Sequence, residues 1–366
     1  MDFIIEKLDF LRVLQRIQGI VDKKSTMPIL SNVLVEAADG KVNIAATDLE
    51  IFIKDACPAT VKKEGSVTVN ARKLFEIVKE LPESTVAISN GEGERVSIKS
   101  GKARFNIMGL PVKEFPSFPP VEDDKLTKVE PDILGEMIDK TAFAVSTDET
   151  RYNINGFFLE KDKDILRMVT TDGHRLAMIE KEAANVPGEK KGVILPKKGV
   201  TELRKLMEEK EGDFFFGITD KSVTMKKGDT LINVRLIEGD FPDYKQVIPK
   251  ENDKLVMAER AVLLGSLKRV SILSSDKVKG VKFGLKKGKL TLSSSSPELG
   301  DATEEIDVEY DGDELDIAFN ARYFLDALEA VGEEKVGIEL KDQMSPGILR
   351  PKETAGSTYI IMPMRL

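Results

Sequence analysis

Ser31-Asn32-Val33-Leu34-Val35-Glu36, Asn155-Gly156-Phe157-Phe158-Leu159-Glu160 and Lys279-Gly280-Val281-Lys282-Phe283-Gly284 share one register and stand 124 positions apart. Thr47-Asp48-Leu49-Glu50, Thr171-Asp172-Gly173-His174 and Ser295-Ser296-Pro297-Glu298 follow at the same step. Phe115-Pro116-Ser117-Phe118 returns as Phe241-Pro242-Asp243-Tyr244 after 126 positions. Three such steps nearly exhaust the 366 residues. The chain reads as three copies of one domain, each much longer than the roughly 20–50 residues of a solenoid or propeller unit.

Each copy has the same internal order. In the first, a short strand over 3–6 leads into a helix with Phe10, Leu14, Ile17 and Val21 on one face. Alternating strands over 32–37 and 41–46 flank the turn Asp39-Gly40. Asn70 is a favourable N-cap for a second helix carrying Leu74, Ile77, Val78 and Leu81, and hairpin strands near 86–89, 95–99 and 104–108 close the copy. The six expected helices cover 8–24, 70–80, 131–141, 196–210, 259–270 and 320–335. This is an α+β fold of three repeated domains, each a doubled β-α-β-β-β unit. Proline and charge clusters after Phe115 and near Pro249 set the expected boundaries at 1–122, 123–248 and 249–366.

Composition narrows the function. No apolar run approaches the roughly 18 residues of a spanning helix, and the N-terminus lacks a basic, then apolar, leader. One cysteine, Cys57, and one histidine, His174, leave no intramolecular disulfide and no Cys- or His-built metal site, so no metal or cofactor is expected. A cytoplasmic protein is expected. Neither a P-loop nor a Rossmann glycine pattern occurs. Thr171-Asp172-Gly173-His174-Arg175 could orient His174 as a general base through Asp172. The copy-one counterpart Thr47-Asp48-Leu49-Glu50 instead makes the Thr-Asp pair a feature of the fold, so binding is expected, not catalysis.

The net charge is −8, but the six helices together carry +3, which leaves −11 for strands and loops. That separation suits helices facing DNA with sheets facing solvent. It equally suits helices with solvated basic ends.

The segments Pro28-Ile29-Leu30-Ser31-Asn32, Ala71-Arg72-Lys73, Arg151-Tyr152, Thr171-Asp172-Gly173-His174-Arg175-Leu176-Ala177, Phe241-Pro242-Asp243-Tyr244 and Met362-Pro363-Met364-Arg365-Leu366 carry a resemblance over the whole length. The chain resembles the bacterial DNA polymerase III beta subunits, the replicative sliding clamps. The resemblance implies a head-to-tail homodimer, a ring of six similar domains encircling double-stranded DNA at replication forks without sequence preference. It also implies docking of the polymerase catalytic subunit, the clamp loader and repair proteins through short linear motifs with a glutamine and hydrophobic anchors. A monomeric three-domain scaffold and a hydrolase centred on His174 are the alternatives.

By the same resemblance, Lys24, Arg72 and Tyr152 match positions that touch DNA, with Lys197 and Lys198 as additions. Asp148 and Asn153 depart there from a familiar amide and a second tyrosine. Ile154, Thr171, Gly173, His174, Arg175, Leu176, Pro242 and Val247 match one side of a peptide pocket. Met344, Ile360, Ile361, Met362, Pro363, Met364 and Arg365 match the other. Gln246 stands where the family often has a basic residue. Lys73, Arg104 and Phe105 match one face of the dimer contact; Ile272, Leu273 and the acidic stretch containing Asp301 and Glu304 match the opposing one. The terminus Ile-Ile-Met-Pro-Met-Arg-Leu is apolar for a chain end, and its methionines suit a surface accepting several ligands. A final buried strand explains Tyr359 to Ile361 but not the apolar residues after Pro363.

Overall fold

The computed structural model describes residues 1–21, 26–82, 84–148, 150–188, 191–209, 212–274, 279–352 and 356–365. Among these, six α-helices lie near the expected places: α1 (Lys7–Ile17), α2 (Ala71–Glu80), α3 (Pro131–Thr141), α4 (Lys197–Glu208), α5 (Arg260–Val270) and α6 (Ala321–Ala330). The Asn70 carboxamide caps α2 by accepting the Lys73 N–H at 3.0 Å, and Asn320 caps α6 through the Arg322 N–H at 3.0 Å. Two helices are shorter than expected. The first stops at Ile17, not residue 24: residues 18–20 form a turn, and Val21, expected on the helix face, is half-buried beyond its end. The last stops at Ala330, not residue 335, because Val331 is extended and a new strand, Lys335–Leu340, begins where the charge pattern still looked helical.

The strands are antiparallel and follow the repeat. Asp39 and Gly40 both have positive φ, +48° and +73°, as a tight hairpin turn requires between Asn32–Ala38 and Lys41–Thr47. In each copy the strand before the second helix pairs with the chain at the end of the copy. Val69 lies opposite Gly109, Ile194 opposite Ile237, and Phe319 opposite Pro363. The apolar residues after Ile361 are thus the third instance of this closure. Pro363–Met364 is a short, half-buried strand, so pairing with Phe319 and Ala318 accounts for part of this apolar end.

Pairing between copies cuts across the sequence repeat. Ile51–Pro58 of copy one pairs with Thr230–Arg235 of copy two, with Phe52 opposite Asn233. Arg175–Glu182 of copy two pairs with Ser357–Ile361 of copy three, with Leu176 opposite Ile360. Contacts accordingly divide the chain into two compact units, 1–129 with 201–236 and 130–200 with 237–366.

The first unit contains a 13-stranded sheet backed by α1 and α2, which bury Phe10, Val13, Leu14, Ile17, Leu74 and Val78. Within it Arg16 of α1 pairs with buried Asp55 and with Glu209 at 2.5 Å, and donates to Thr230 at 2.7 Å, binding residues from copies one and two. The second unit contains an eight-stranded and a five-stranded sheet. One of its cores gathers Phe283, Phe319 and Phe324 with Leu263, Leu267 and Leu328. A smaller core under the site described next gathers Phe158, Val169, Leu176, Tyr244 and Ile360.

Candidate functional site

The turn 171–175 is built by its own side chains. Thr171 Oγ1 accepts the Gly173 N–H at 3.1 Å, and Asp172 Oδ1 accepts those of His174 and Arg175 at 2.9 and 3.1 Å. Copy one repeats this: Thr47 Oγ1 accepts from Leu49 at 2.9 Å, and Asp48 Oδ1 from Glu50 and Ile51 at 3.0 and 2.7 Å. Gly173 and Leu49 both have positive φ, +88° and +78°. A Cβ at Gly173 would sit 2.7 Å from the Arg151 guanidinium, so a larger residue there must displace that side chain as well as hold the left-handed backbone. Asp172 Oδ2 accepts from Arg175 Nε at 3.0 Å. Both its oxygens therefore serve the turn and Arg175, and neither orients the His174 imidazole.

The turn meets the C-terminal segment directly. Arg175 and Leu176 lie opposite Ile361 and Ile360, and the Met362 N–H donates to the His174 carbonyl at 2.9 Å. Ile154, Leu176, Ile360 and Ile361 are buried beneath this surface. Gly173, His174, Pro242, Gln246, Val247, Met344 and Arg365 are exposed, while Thr171, Met362, Pro363 and Met364 are half-buried. All lie within the second unit. Gln246 donates to Asp243 Oδ2 at 2.9 Å, which holds it on its own short helical turn.

Beneath the surface a polar group is closed off from solvent. The Tyr244 hydroxyl donates to Glu160 Oε1 at 2.5 Å, and Arg167 pairs with the same carboxylate. Burial alone would raise the Glu160 pKa, but the hydrogen bonds from Tyr244 and Arg167 outweigh it and hold the carboxyl below its ordinary value. Burial, followed by the bond to Glu160, pushes the Tyr244 hydroxyl well above the usual phenol range.

Three residues absent from the expected set also belong here. Tyr323 and Asp326 project from α6, and Phe143 lies after α3. The Tyr323 ring stacks near the His174 imidazole, with centroids 6.3 Å apart and planes 16° from parallel. Asp326 accepts from Arg175 at 2.6 Å, and the Phe143 carbonyl accepts from its other terminal nitrogen at 2.6 Å. A signal existed in the repeat, since Arg175 replaces Ile51 of copy one.

The residues matched to DNA contacts are distributed. Arg72 is exposed on α2 and pairs with Glu76 at 2.8 Å; Lys197 and Lys198 are exposed in the first turn of α4. Tyr152 is 61% exposed. Asn153 donates to the Asp240 carbonyl at 3.0 Å, and Asp148 caps its own turn through Thr150 and Arg151. Lys24 lies outside the described residues. Among the described residues no helix is long and apolar enough to cross a membrane, and no three His, Cys, Asp or Glu side chains cluster to hold a metal ion.

The residues matched to a dimer contact fall on strand edges and helix ends. Phe105 is 39% and Ile272 72% exposed; Arg104 and Asp301 are exposed and Leu273 is half-buried. Lys73 pairs with Glu76 at 2.9 Å. Glu304 accepts from Arg269 at 2.5 Å and from Ser266 at 2.7 Å, and those two donors hold its carboxyl at about 2.

Comparison with known proteins covers the whole chain. The family models for the DNA polymerase III beta subunit match residues 1–119 (N-terminal domain), 128–243 (central domain) and 245–365 (C-terminal domain). The beta sliding clamps of Pseudomonas aeruginosa and Escherichia coli K12 are 35% and 34% identical, with 100% of both chains covered in each case. Among solved structures, the DNA polymerase III subunit beta from P. aeruginosa superposes with a TM-score of 0.95 at 34% identity. The sliding clamp from Bartonella birtlesii bound to griselimycin does so at 0.93 and 34%; both cover 100% of either chain. With its three repeated α+β domains and full-length similarity, the chain belongs to the DNA polymerase III beta subunit family, the bacterial sliding clamps.

Proposed function

We propose that the protein is a DNA sliding clamp in which two protomers close head to tail around duplex DNA, each contributing domains 1–122, 123–248 and 249–366. The supporting observation is an incomplete series of strand pairings. Ile51–Pro58 and Arg175–Glu182 each pair with the last hairpin of the following copy. The third member, Gly300–Asp307, pairs on one side only among the described residues, and so do residues 103–108 of Ala103–Leu110. These two edges are the equivalents of strands that are paired elsewhere in the chain. Continuing the register puts Asn106 opposite Gly300 and Phe105 opposite Asp301 of a second copy. One edge is acidic, with Asp301, Glu304, Glu305 and Asp307; the other is flanked by Arg95, Lys99, Lys102 and Arg104. Such a contact is heterologous, and a ring results if it closes after two protomers.

The ring acts without catalysis, by tethering. Diffuse phosphate contacts from Lys24, Arg72, Lys197 and Lys198, with Tyr152 beside them, hold DNA without reading bases, so sliding is not arrested. Asp148, committed to its own turn, and Asn153, bonded to the Asp240 carbonyl, add no attraction for phosphate. The surface around His174, Met344 and Met362 accepts linear motifs of the polymerase catalytic subunit, the clamp loader and repair proteins at replication forks in the bacterial cytoplasm. The griselimycin-bound state of the B. birtlesii relative supports a ligand-accepting surface in this family. Light scattering at low concentration tests closure. The double variant Ile272→Ala, Leu273→Ala should be a folded monomer where the wild type is a dimer. A wild type that is monomeric at every concentration would favour a three-domain scaffold instead.

A further inference from the structure

We infer that Arg175 and Asp326 are positioning residues for peptide docking: their ion pair anchors the turn 171–175 to α6 and so fixes the wall that a ligand meets. The inference rests on the docking reading above. Resemblance placed Arg175 among ligand-contacting residues, but its geometry points inward. Its side chain is 10% exposed, and each of its three guanidine nitrogens already has an acceptor: Asp172 at 3.0 Å, Asp326 at 2.6 Å and the Phe143 carbonyl at 2.6 Å. The guanidinium also lies 4.7 Å from the Tyr323 ring centroid and 5.3 Å from that of Phe143. A planar cation held this way is preorganised in place.

Copy one separates making the turn from anchoring it. Its turn forms through the same Thr47 and Asp48 hydrogen bonds, although Ile51 replaces Arg175. In the following copy, the residue of α4 equivalent to Asp326 is Glu202, which is buried and pairs with Lys205 of its own helix at 2.8 Å. The anchor is therefore dispensable for the turn and is present where the turn meets the C-terminal segment. From Asp326 the connection runs through Arg175 to the adjacent His174, whose carbonyl accepts from Met362. Both walls of the docking surface are thereby referenced to one helix. A wall already held in its bound shape spares the ligand the cost of ordering it.

The test uses full-length protein and a fluorescein-labelled pentapeptide of one glutamine, one serine and three hydrophobic residues, with affinity read by anisotropy. Asp326→Asn keeps the shape and removes the charge; binding should weaken by about fivefold, the lower end of typical coupling between sites. Asp326→Glu, which restores the carboxylate, should recover most of that loss. Hydrogen exchange supplies a readout that general destabilisation would not reproduce. In Asp326→Asn the amides of 173–175 should exchange faster while those of 49–51 in the copy-one turn stay unchanged. Wild-type affinity in Asp326→Asn, or equal acceleration of exchange in both turns, would overturn the inference. No peptide binding by the wild type would overturn the docking reading itself.

Discussion

Tyr244→Phe removes one oxygen from the floor of the docking surface, and its cost follows from the surroundings. Tyr244 is 4% and Glu160 8% exposed, so water does not replace the lost hydroxyl. A hydrogen bond to a charged group is worth about 1.5–3 kcal/mol. Arg167 and Lys245, the latter at 3.5 Å, still compensate the carboxylate, which argues for the lower half of that range, about 2 kcal/mol. The pH dependence has a definite sign. Because the Glu160 pKa is depressed in the folded protein, its stabilisation is present above the unfolded value and is lost as pH falls through the folded one. Removing the hydroxyl removes one cause of that depression. The deficit should be full at neutral pH and should narrow below the ordinary carboxylate value of 4.5. Hydrogen exchange of the 158–161 amides, corrected for intrinsic rate, measures the local opening free energy across this range. Equal protection in both proteins at pH 7, or a deficit that grows in acid, would refute the reasoning.

Gly173→Ala should cost about 1–2 kcal/mol from the left-handed backbone, plus displacement of Arg151, read as a lowered thermal midpoint; an unchanged midpoint would contradict the tight approach. Deleting 362–366 removes the Met362 bond to His174 and the Pro363–Met364 pairing. It should weaken peptide binding at least about tenfold, or 1.4 kcal/mol, and equal anisotropy curves would sink the docking surface. If two copies pair as proposed, raising the salt should loosen the proposed dimer because its two edges carry opposite charge, as sedimentation at low and high ionic strength would reveal.

Much of this was legible in the sequence because the repeat makes each copy a check on the others. Asn70 read as a cap and accepts a helix N–H, and Asn320 at the same place in copy three does so too. Asp39-Gly40 read as a hairpin turn and has the positive φ values that turn needs. The Thr171–Arg175 turn was recognisable as structural from its copy-one counterpart. Helix ends were harder. Val21 continues the apolar pattern of α1 after the helix has stopped, since periodicity registers apolarity and not hydrogen bonding. The C-terminal residues looked like a free apolar surface because pairing of Phe319 with Pro363 joins positions 44 apart. The Arg175–Asp326 bond, across 151 residues, left no local pattern. Its trace was a departure from the repeat, arginine in place of Ile51, and not a motif.

Encirclement itself is tested most directly by topology. Labelled protein is loaded with its clamp loader onto nicked circular DNA, separated from free protein by gel filtration, and the DNA is then cut once. A ring held by topology and not by affinity stays on the circle and leaves through the new ends after linearisation, at an ionic strength that abolishes simple phosphate binding. Equal retention on circular and linear DNA would contradict a sliding ring, and so would equal loss from both.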